Sequence, residues 1–251
     1  MDLNIPDTRQ GVLAARLRQG AHIVATEVAA EFDVSLDTVR RDILALEAGG
    51  KARRVRGGAV PVAAPAGRLH DRLSARPPLK PALIATAVAR IAQAPTLAMD
   101  GGATTLALIA QLPRLAGRLV ITPSPWIAVA CHENDIDVFV IGGRLSPQGG
   151  VATGAAALDD LTEVAADVAV LGACGLDAAF GLSSDHDGEA QIKAALHHTA
   201  RSTIVVTDST KIGRRARHHT LGLTQIDCII TDAGPDMTAP LTRAGARIVT
   251  P

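Results

Sequence analysis

Apolar and polar positions follow two different periods along this chain of 251 residues. Before residue 60 the spacing is helical. Val28, Ala29, Phe32 and Val34, then Val39, Ile43 and Leu46, share one face of two short helices joined by a tight turn. Ser35 is placed to cap the second helix, which leaves Leu36, Asp37, Thr38, Arg40 and Arg41 in its exposed first two turns, and Gly49 and Gly50 stop it. Beyond residue 80 apolar runs alternate with helical stretches. Strands are predicted at Thr96–Met99, Leu119–Thr122, Asp137–Ile141, Val168–Gly172, Thr203–Thr207, Asp227–Thr231 and Arg247–Val249. This alternation predicts an α/β class with a Rossmann-like, mainly parallel sheet covered on both faces. Ligands of such sheets sit at the carboxyl ends of the strands.

The stretch between these patterns, VPVAAPAGRLHDRLSARPPL at residues 60–79, mixes proline, small residues and charges and breaks any long period. It is read as a linker, giving residues 1–59 as one domain and 80–251 as another. The first is the size of a helix-turn-helix, and about 190 residues remain for a domain with its own core. Aromatic residues are only 2% of the chain, so Ala, Val, Leu and Ile must fill that core. No apolar run reaches membrane-spanning length, and the first ten residues, with Asp2, Pro6 and Asp7, do not read as a signal peptide; a cytoplasmic protein is expected. Cys131, Cys174 and Cys228 are odd in number and widely spaced, which predicts reduced thiols used in packing and neither a disulfide frame nor a metal site.

Charge changes the reading of the first domain. The whole chain is neutral, with 25 basic and 25 acidic residues, but Thr38 to Arg56 holds six Lys or Arg against Asp42 and Glu47. Lys51, Arg53, Arg54 and Arg56 fall on a short strand turned by Gly57 and Gly58, in the manner of a wing behind the second helix. Cations placed this way neutralise phosphates without regard to sequence, and arginines reaching guanine edges discriminate between sequences. The same residues also suit a solvated helix face, with Asp37 and Arg41 as an ordinary i,i+4 pair. In the second domain, Asp100, Gly101, Gly102, Ala103, Thr104 and Thr105 follow a predicted strand and open a helix. Close-turning glycines, free amides and threonine hydroxyls suit a phosphate. The stretch lacks the GK[ST] ending of a nucleotide loop and the GxGxxG spacing of a dinucleotide fold, and a plain glycine turn with a threonine cap explains it equally well. Lys80 precedes Pro81 at a predicted helix start, where the helix dipole opposes a cation unless an anion is shared. Asp208 with Lys211, and Glu189 with Lys193, lie near strand ends but also suit local ion pairs. The adjacent pairs His197–His198 and His218–His219 lack metal-ligand spacing and are read as surface residues, as are Arg214, Arg215 and Arg217; Trp126 is read as packing. No cofactor and no catalytic triad is implied.

The run VSLDTVRRDILALE followed by RRVRGGA resembles the N-terminal motif of the DeoR family of bacterial transcriptional regulators, and Arg9, Leu13, Leu17 and Gly20 fit the preceding helix. DGGATTLALIAQL, Gly142 with Gly143, LGACGLDAAFGL, EAQIKAAL and VVTDSTKIG resemble successive motifs of its C-terminal domain. That domain is similar to sugar-phosphate isomerases such as ribose-5-phosphate isomerase. The resemblance implies a winged helix-turn-helix on double-stranded operator DNA, using Ser35, Leu36, Asp37, Thr38, Arg40, Arg41, Lys51, Arg53, Arg54 and Arg56. It further implies a phosphorylated-sugar effector held by Asp100, Gly101, Gly102, Ala103, Thr104 and Thr105, with Lys80, Asp177, Glu189, Asp208 and Lys211 near the sugar. Arg56 stands where the family commonly has histidine, Thr122-Pro123-Ser124 where it often has Thr-Asn, and Arg217 where an aromatic is usual. The expected function is a repressor of a carbohydrate-metabolism operon, acting as a homo-oligomer because one head buries too little surface for strong specificity. The rival readings are a sugar-phosphate isomerase, with Asp100, Asp177 or Glu189 moving a proton, and an architectural DNA binder without a ligand.

Overall fold

The computed structural model describes residues 5–18, 21–49, 51–55, 57–61, 68–75 and 79–251, without the side chains of Arg18, Arg72 and Ala75. The chain divides into two compact units, Met1–Ala64 and Pro65–Pro251. Arg56, Gly50 and Gly20 lie outside the described residues.

The first unit runs α1 (Pro6–Arg18), β1 (Ile23–Val24), α2 (Ala25–Phe32), α3 (Leu36–Ala48), β2 (Ala52–Val55) and β3 (Gly58–Pro61). Its three helices bury Leu13, Leu17, Val28, Phe32, Val39, Ile43 and Leu46 in one cluster. Asp33, in the left-handed region at φ 52°, ends α2, and the Ser35 hydroxyl then accepts the Thr38 amide at 3.1 Å to start α3. The three short strands form an antiparallel sheet in the order β1-β3-β2. Gly58 is required there, since a Cβ would come within 1.8 Å of the Ile23 carbonyl oxygen. The linker expectation needs correction in two places. Val60 and Pro61 belong to β3, paired with Arg53 and Ala52, and α4 (Leu69–Ala75) lies within the stretch read as irregular. Leu69 is 2% exposed, because burying one leucine outweighs the proline-rich composition around it.

The second unit continues with α5 (Pro81–Ile91), β4 (Thr96–Met99), α6 (Ala103–Ile109), β5 (Leu119–Thr122), α7 (Pro125–Glu133), β6 (Asp137–Val140), β7 (Arg144–Leu145), β8 (Ala152–Thr153), α8 (Ala155–Thr162) and β9 (Ala166–Gly172). It ends with β10 (Gly175–Asp177), β11 (Gly181–Ser184), α9 (Asp187–Thr199), β12 (Ala200–Thr207), β13 (His218–Leu221), β14 (Cys228–Thr231), α10 (Pro235–Arg243) and β15 (Ile248–Val249). Seven strands, in the order β15-β14-β12-β9-β4-β5-β6, make one sheet in which every pairing is parallel. Successive side chains point to opposite faces. Leu97, Met99, Val170, Val206 and Ile230 meet α5, α6 and α7 on one side, while Ala98, Leu171, Val205 and Ile229 meet α8, α9 and α10 on the other. The antiparallel sheet β10-β11-β13 and the pair β7-β8 were not read from the sequence, since their strands are short and lack a strong apolar alternation.

Candidate functional site

Three strands of the parallel sheet are followed directly by an aspartate: β4 by Asp100, β12 by Asp208 and β14 by Asp232. With the end of β9 they open onto a cavity of about 510 Å³, in the range of small-molecule sites. The loop after β4 contributes Gly101, Gly102, Ala103 and Thr104, α9 contributes Glu189 and Lys193, and the turn after β12 contributes Asp208, Ser209, Thr210 and Lys211. Lys80, at the start of α5, completes one edge.

The base of the cavity is a buried ion pair. Lys193 Nζ bonds Asp100 Oδ2 and also donates to the Gly172 carbonyl oxygen at 3.1 Å, while the Gly172 amide donates to Asp100 Oδ2 at 3.2 Å. Both side chains are almost wholly buried. A charge in such surroundings needs a partner of opposite sign. Beside it, Glu189 Oε1 accepts the Ser146 hydroxyl at 3.1 Å, and that hydroxyl accepts the Gly149 amide at 3.2 Å. At the opposite edge Lys80 Nζ lies 3.0 Å from Asp232 Oδ2, and the Ser209 amide donates to Asp232 Oδ1 at 2.7 Å. Burial alone raises the Asp232 carboxyl; the bonds from Lys80 and Ser209 outweigh it and hold the group below the ordinary carboxylate range. Asp208 accepts the Thr210 amide at 2.9 Å and so shapes the turn that carries Lys211. Three lysines and four carboxylates thus line one cavity, an arrangement suited to a ligand with both an anionic group and several hydroxyls.

Two expected members fall elsewhere. Thr105 is wholly buried and its hydroxyl donates to the Gly102 carbonyl at 3.1 Å, so it braces the loop and does not line the cavity. Gly102 sits at φ 146°, a conformation that brings that carbonyl round to the helix start. Asp177 is outside the cavity as well. Its Oδ1 accepts the amides of Ala179 and Phe180 at 3.0 and 2.9 Å, closing the turn between β10 and β11. Lys193, Asp232 and Cys174 were missed as lining residues. Lys193 was read only as the i,i+4 mate of Glu189, although that spacing already puts both on one helix face; Asp232 had the same strand-then-aspartate signal as Asp100 and Asp208. Cys131 and Cys228 do lie in the core, as all three cysteines were expected to. Arg214, read as a surface residue, is half-buried 3.6 Å from Asp185, whereas Arg215 is exposed and stacks over Phe180 at 3.8 Å. His197, read as surface, shares a 2.7 Å hydrogen bond with Thr203. Among the described residues no group of three or more His, Cys, Asp or Glu is placed to hold a metal ion.

In the first unit, Ser35, Asp37, Arg40, Arg41, Lys51 and Arg54 are exposed, Thr38 and Arg53 half-buried. Leu36 corrects the expectation, because it packs against the helical core. Asp37 pairs with Arg40 at 2.9 Å and not with Arg41, which has no ion-pair partner among the described residues and lies beside Ser35 and Thr38. Arg54 is tethered to Glu47, whose Oε1 also accepts the Arg54 amide at 2.9 Å. Asp42 is not a surface charge. It is buried against Arg9, whose Nη2 donates at 3.1 Å, and Gln10 Nε2 adds a bond at 3.0 Å.

Residues 9–63 match the model of the DeoR-like helix-turn-helix domain, and residues 79–233 match that of the DeoR C terminal sensor domain. The chain belongs to the DeoR family. This DeoR-family chain is a transcriptional regulator, and relatives resemble it over most of their length. It is 30% identical over 217 residues to the HTH-type transcriptional regulator GlpR of Haloferax volcanii, covering 84% of this chain and 85% of that one. The HTH-type transcriptional regulator GolR of Listeria innocua is 27% identical, with 90% and 91% covered, and the glycerol-3-phosphate regulon repressor of Escherichia coli K12 is 26% identical, with 88% and 89% covered. Among solved structures, a D-ribose-5-phosphate isomerase in complex with phospho-erythronic acid aligns with 51% of each chain at 20% identity and a TM-score of 0.38, too slight a likeness to carry an argument. No helix among the described residues of this DeoR-family chain is long and apolar enough to cross a membrane.

Proposed function

We propose that Met1–Ala64 reads a double-stranded operator and that Pro65–Pro251 binds a phosphorylated sugar whose occupancy sets the affinity for DNA. On this reading the chain represses a carbohydrate-metabolism operon in the cytoplasm, as a homo-oligomer with paired heads. The observation that carries it is the composition of the cavity. Lys80, Lys211 and the amides of Gly101–Thr104 are donors for a phosphate, and Glu189, Asp208 and the Lys193–Asp100 pair offer acceptors for sugar hydroxyls. The name of the related glycerol-3-phosphate regulon repressor of Escherichia coli K12 points to the same ligand chemistry. On the DNA side, Arg40 and Arg41 meet base edges, with Ser35, Asp37 and Thr38 beside them, while Lys51, Arg53, Arg54 and Arg56 contact phosphates.

The pocket binds without turnover in this proposal. Asp100, one of the carboxylates that an isomerase would use to move a proton, is already committed to Lys193 and the Gly172 amide. A ligand can change DNA affinity only if the DNA-competent and incompetent states bind it differently. The test is a thermal-shift screen over pentose and hexose phosphates, glycerol phosphate, inorganic phosphate and the free sugars, followed by gel shifts with DNA from upstream of the gene. One phosphorylated compound should stabilise the chain and weaken the gel shift. If every phosphate ester leaves both unchanged, or if one is isomerised, the proposal fails.

A further inference from the structure

The two edges of the seven-stranded sheet are built differently. At one, β15 is two half-buried residues long, a short edge with little main chain to offer. At the other, β6 carries apolar side chains on both faces. Val138 packs on the cluster beneath α7, whereas Phe139 and Val140, which point to opposite faces, are each 48% exposed. Val129 on α7 adds a further exposed apolar side chain at 58%. Consecutive apolar residues on both faces are the pattern of an interior strand of a parallel sheet, yet among the described residues β6 has a neighbour on one side only. Its only protections are its four-residue length and the exposed Asp137 that opens it; it holds no lysine, no proline and no bulge.

The open side of β6 can be named atom by atom. The Ile141 amide donates to the Thr122 carbonyl on β5 at 2.9 Å. In the alternation of a parallel ladder, Phe139 and Ile141 therefore turn their N–H and C=O groups toward β5, and Val138 and Val140 turn theirs outward. The ends of the strand differ in charge. Asp137 opens it and Arg144 lies just beyond its far end; both are exposed, and among the described residues neither has an ion-pair partner.

We propose that β6 is the self-association edge of this chain, and that two copies pair antiparallel through it about a two-fold axis at Phe139. Val138 of each copy then exchanges both main-chain hydrogen bonds with Val140 of the other, and the two Phe139 side chains meet at the non-hydrogen-bonded position on the axis. The antiparallel sense follows from charge, because it brings the Asp137 end of one strand toward the Arg144 end of the other, while a parallel sense would set like ends together. Such an interface is self-complementary and closed, so it leaves no free edge at β6. It supplies the second head that an operator with two half-sites demands, and it stands on the sheet alone, whatever ligand fills the cavity.

The test uses the full chain. Sedimentation equilibrium at tens of micromolar should give at least twice the 25.8 kDa of one chain. The double variant Phe139→Lys with Val140→Pro should halve that mass with an unchanged far-UV circular dichroism spectrum, since the Val140 N–H makes no bond to β5 and a proline there costs no ladder bond of the chain itself. Phe139→Cys should cross-link to itself in oxidised glutathione. Residues paired at a non-hydrogen-bonded position have Cα atoms about 4.5 Å apart, within disulfide reach, and the native cysteines are buried and do not compete. A monomeric wild type, an unchanged mass in the double variant, or an associating chain in which Phe139→Cys does not cross-link would overturn the assignment. If the double variant loses its spectrum, the cross-link decides.

Discussion

Asp42 and Asp37 sit five residues apart on one helix and have opposite fates. Asp37 is exposed and faces Arg40, so Asp37→Ala should change stability by no more than about 0.5 kcal/mol. Asp42 is sealed against Arg9 and Gln10. Removing one member of a buried pair strands the other, so Asp42→Ala should cost about 3–5 kcal/mol, read as a lowered urea midpoint. The burial of Asp42 also removes an anion from the exposed charges between Thr38 and Arg56, which leaves that stretch more basic at its surface than the sequence count suggests. Asp232 responds to pH in a defined direction. Its folded pKa lies below the unfolded one, so its contribution is present above about pH 4 and is lost as pH falls through the depressed value. Lys80→Ala should raise the Asp232 pKa, measured by carboxyl NMR titration. Burial likewise pushes the Cys131 thiol up to about 11, which keeps it protonated at neutral pH.

At the scale of elements, α3 and the β2-β3 wing divide the proposed work on DNA. Arg41→Ala should erase the preference for operator over random DNA while non-specific binding remains. Lys51→Ala should weaken binding to both alike and lower the slope of log affinity against log salt by about 1. Gel shifts at several salt concentrations separate the two outcomes, and an equal loss on both DNAs with Arg41→Ala would remove α3 from base reading. In the sheet unit, α9 is the element that joins the cavity to the core: Glu189 and Lys193 face the cavity, while Ile192 and Leu196 are wholly buried beneath it. Lys193→Met keeps the length and removes the charge, leaving Asp100 with the Gly172 amide and lowering the stability of this unit as Asp42→Ala does that of the first. Operator binding should survive in this variant and the response to a sugar phosphate should vanish; a full response would place the ligand away from Asp100.

For the whole molecule, linkage makes the proposed control reciprocal. A sugar phosphate that weakens operator binding tenfold must itself bind tenfold more weakly when operator is present, a coupling of about 1.4 kcal/mol. Calorimetry with and without DNA checks this equality. Much of the architecture was legible in the chain because periodicity is local: the seven parallel strands, the Ser35 cap and the aspartates closing β4 and β12 each depend on neighbours within a few residues. The residues that distance brings together were not legible. Arg9 and Asp42 are 33 positions apart, and Asp100 and Lys193 are 93 apart. Each pair exists only because packed layers align two side chains that lie far apart along the chain. Asp177 marks the converse: a carboxylate near a strand end, so a candidate by pattern, that the antiparallel sheet β10-β11-β13 turns into a hairpin brace. Local spacing determined which strands and helices form; the stacking of helices on the sheet decided which charges were buried together, because desolvation of an ion pair depends on every layer that covers it.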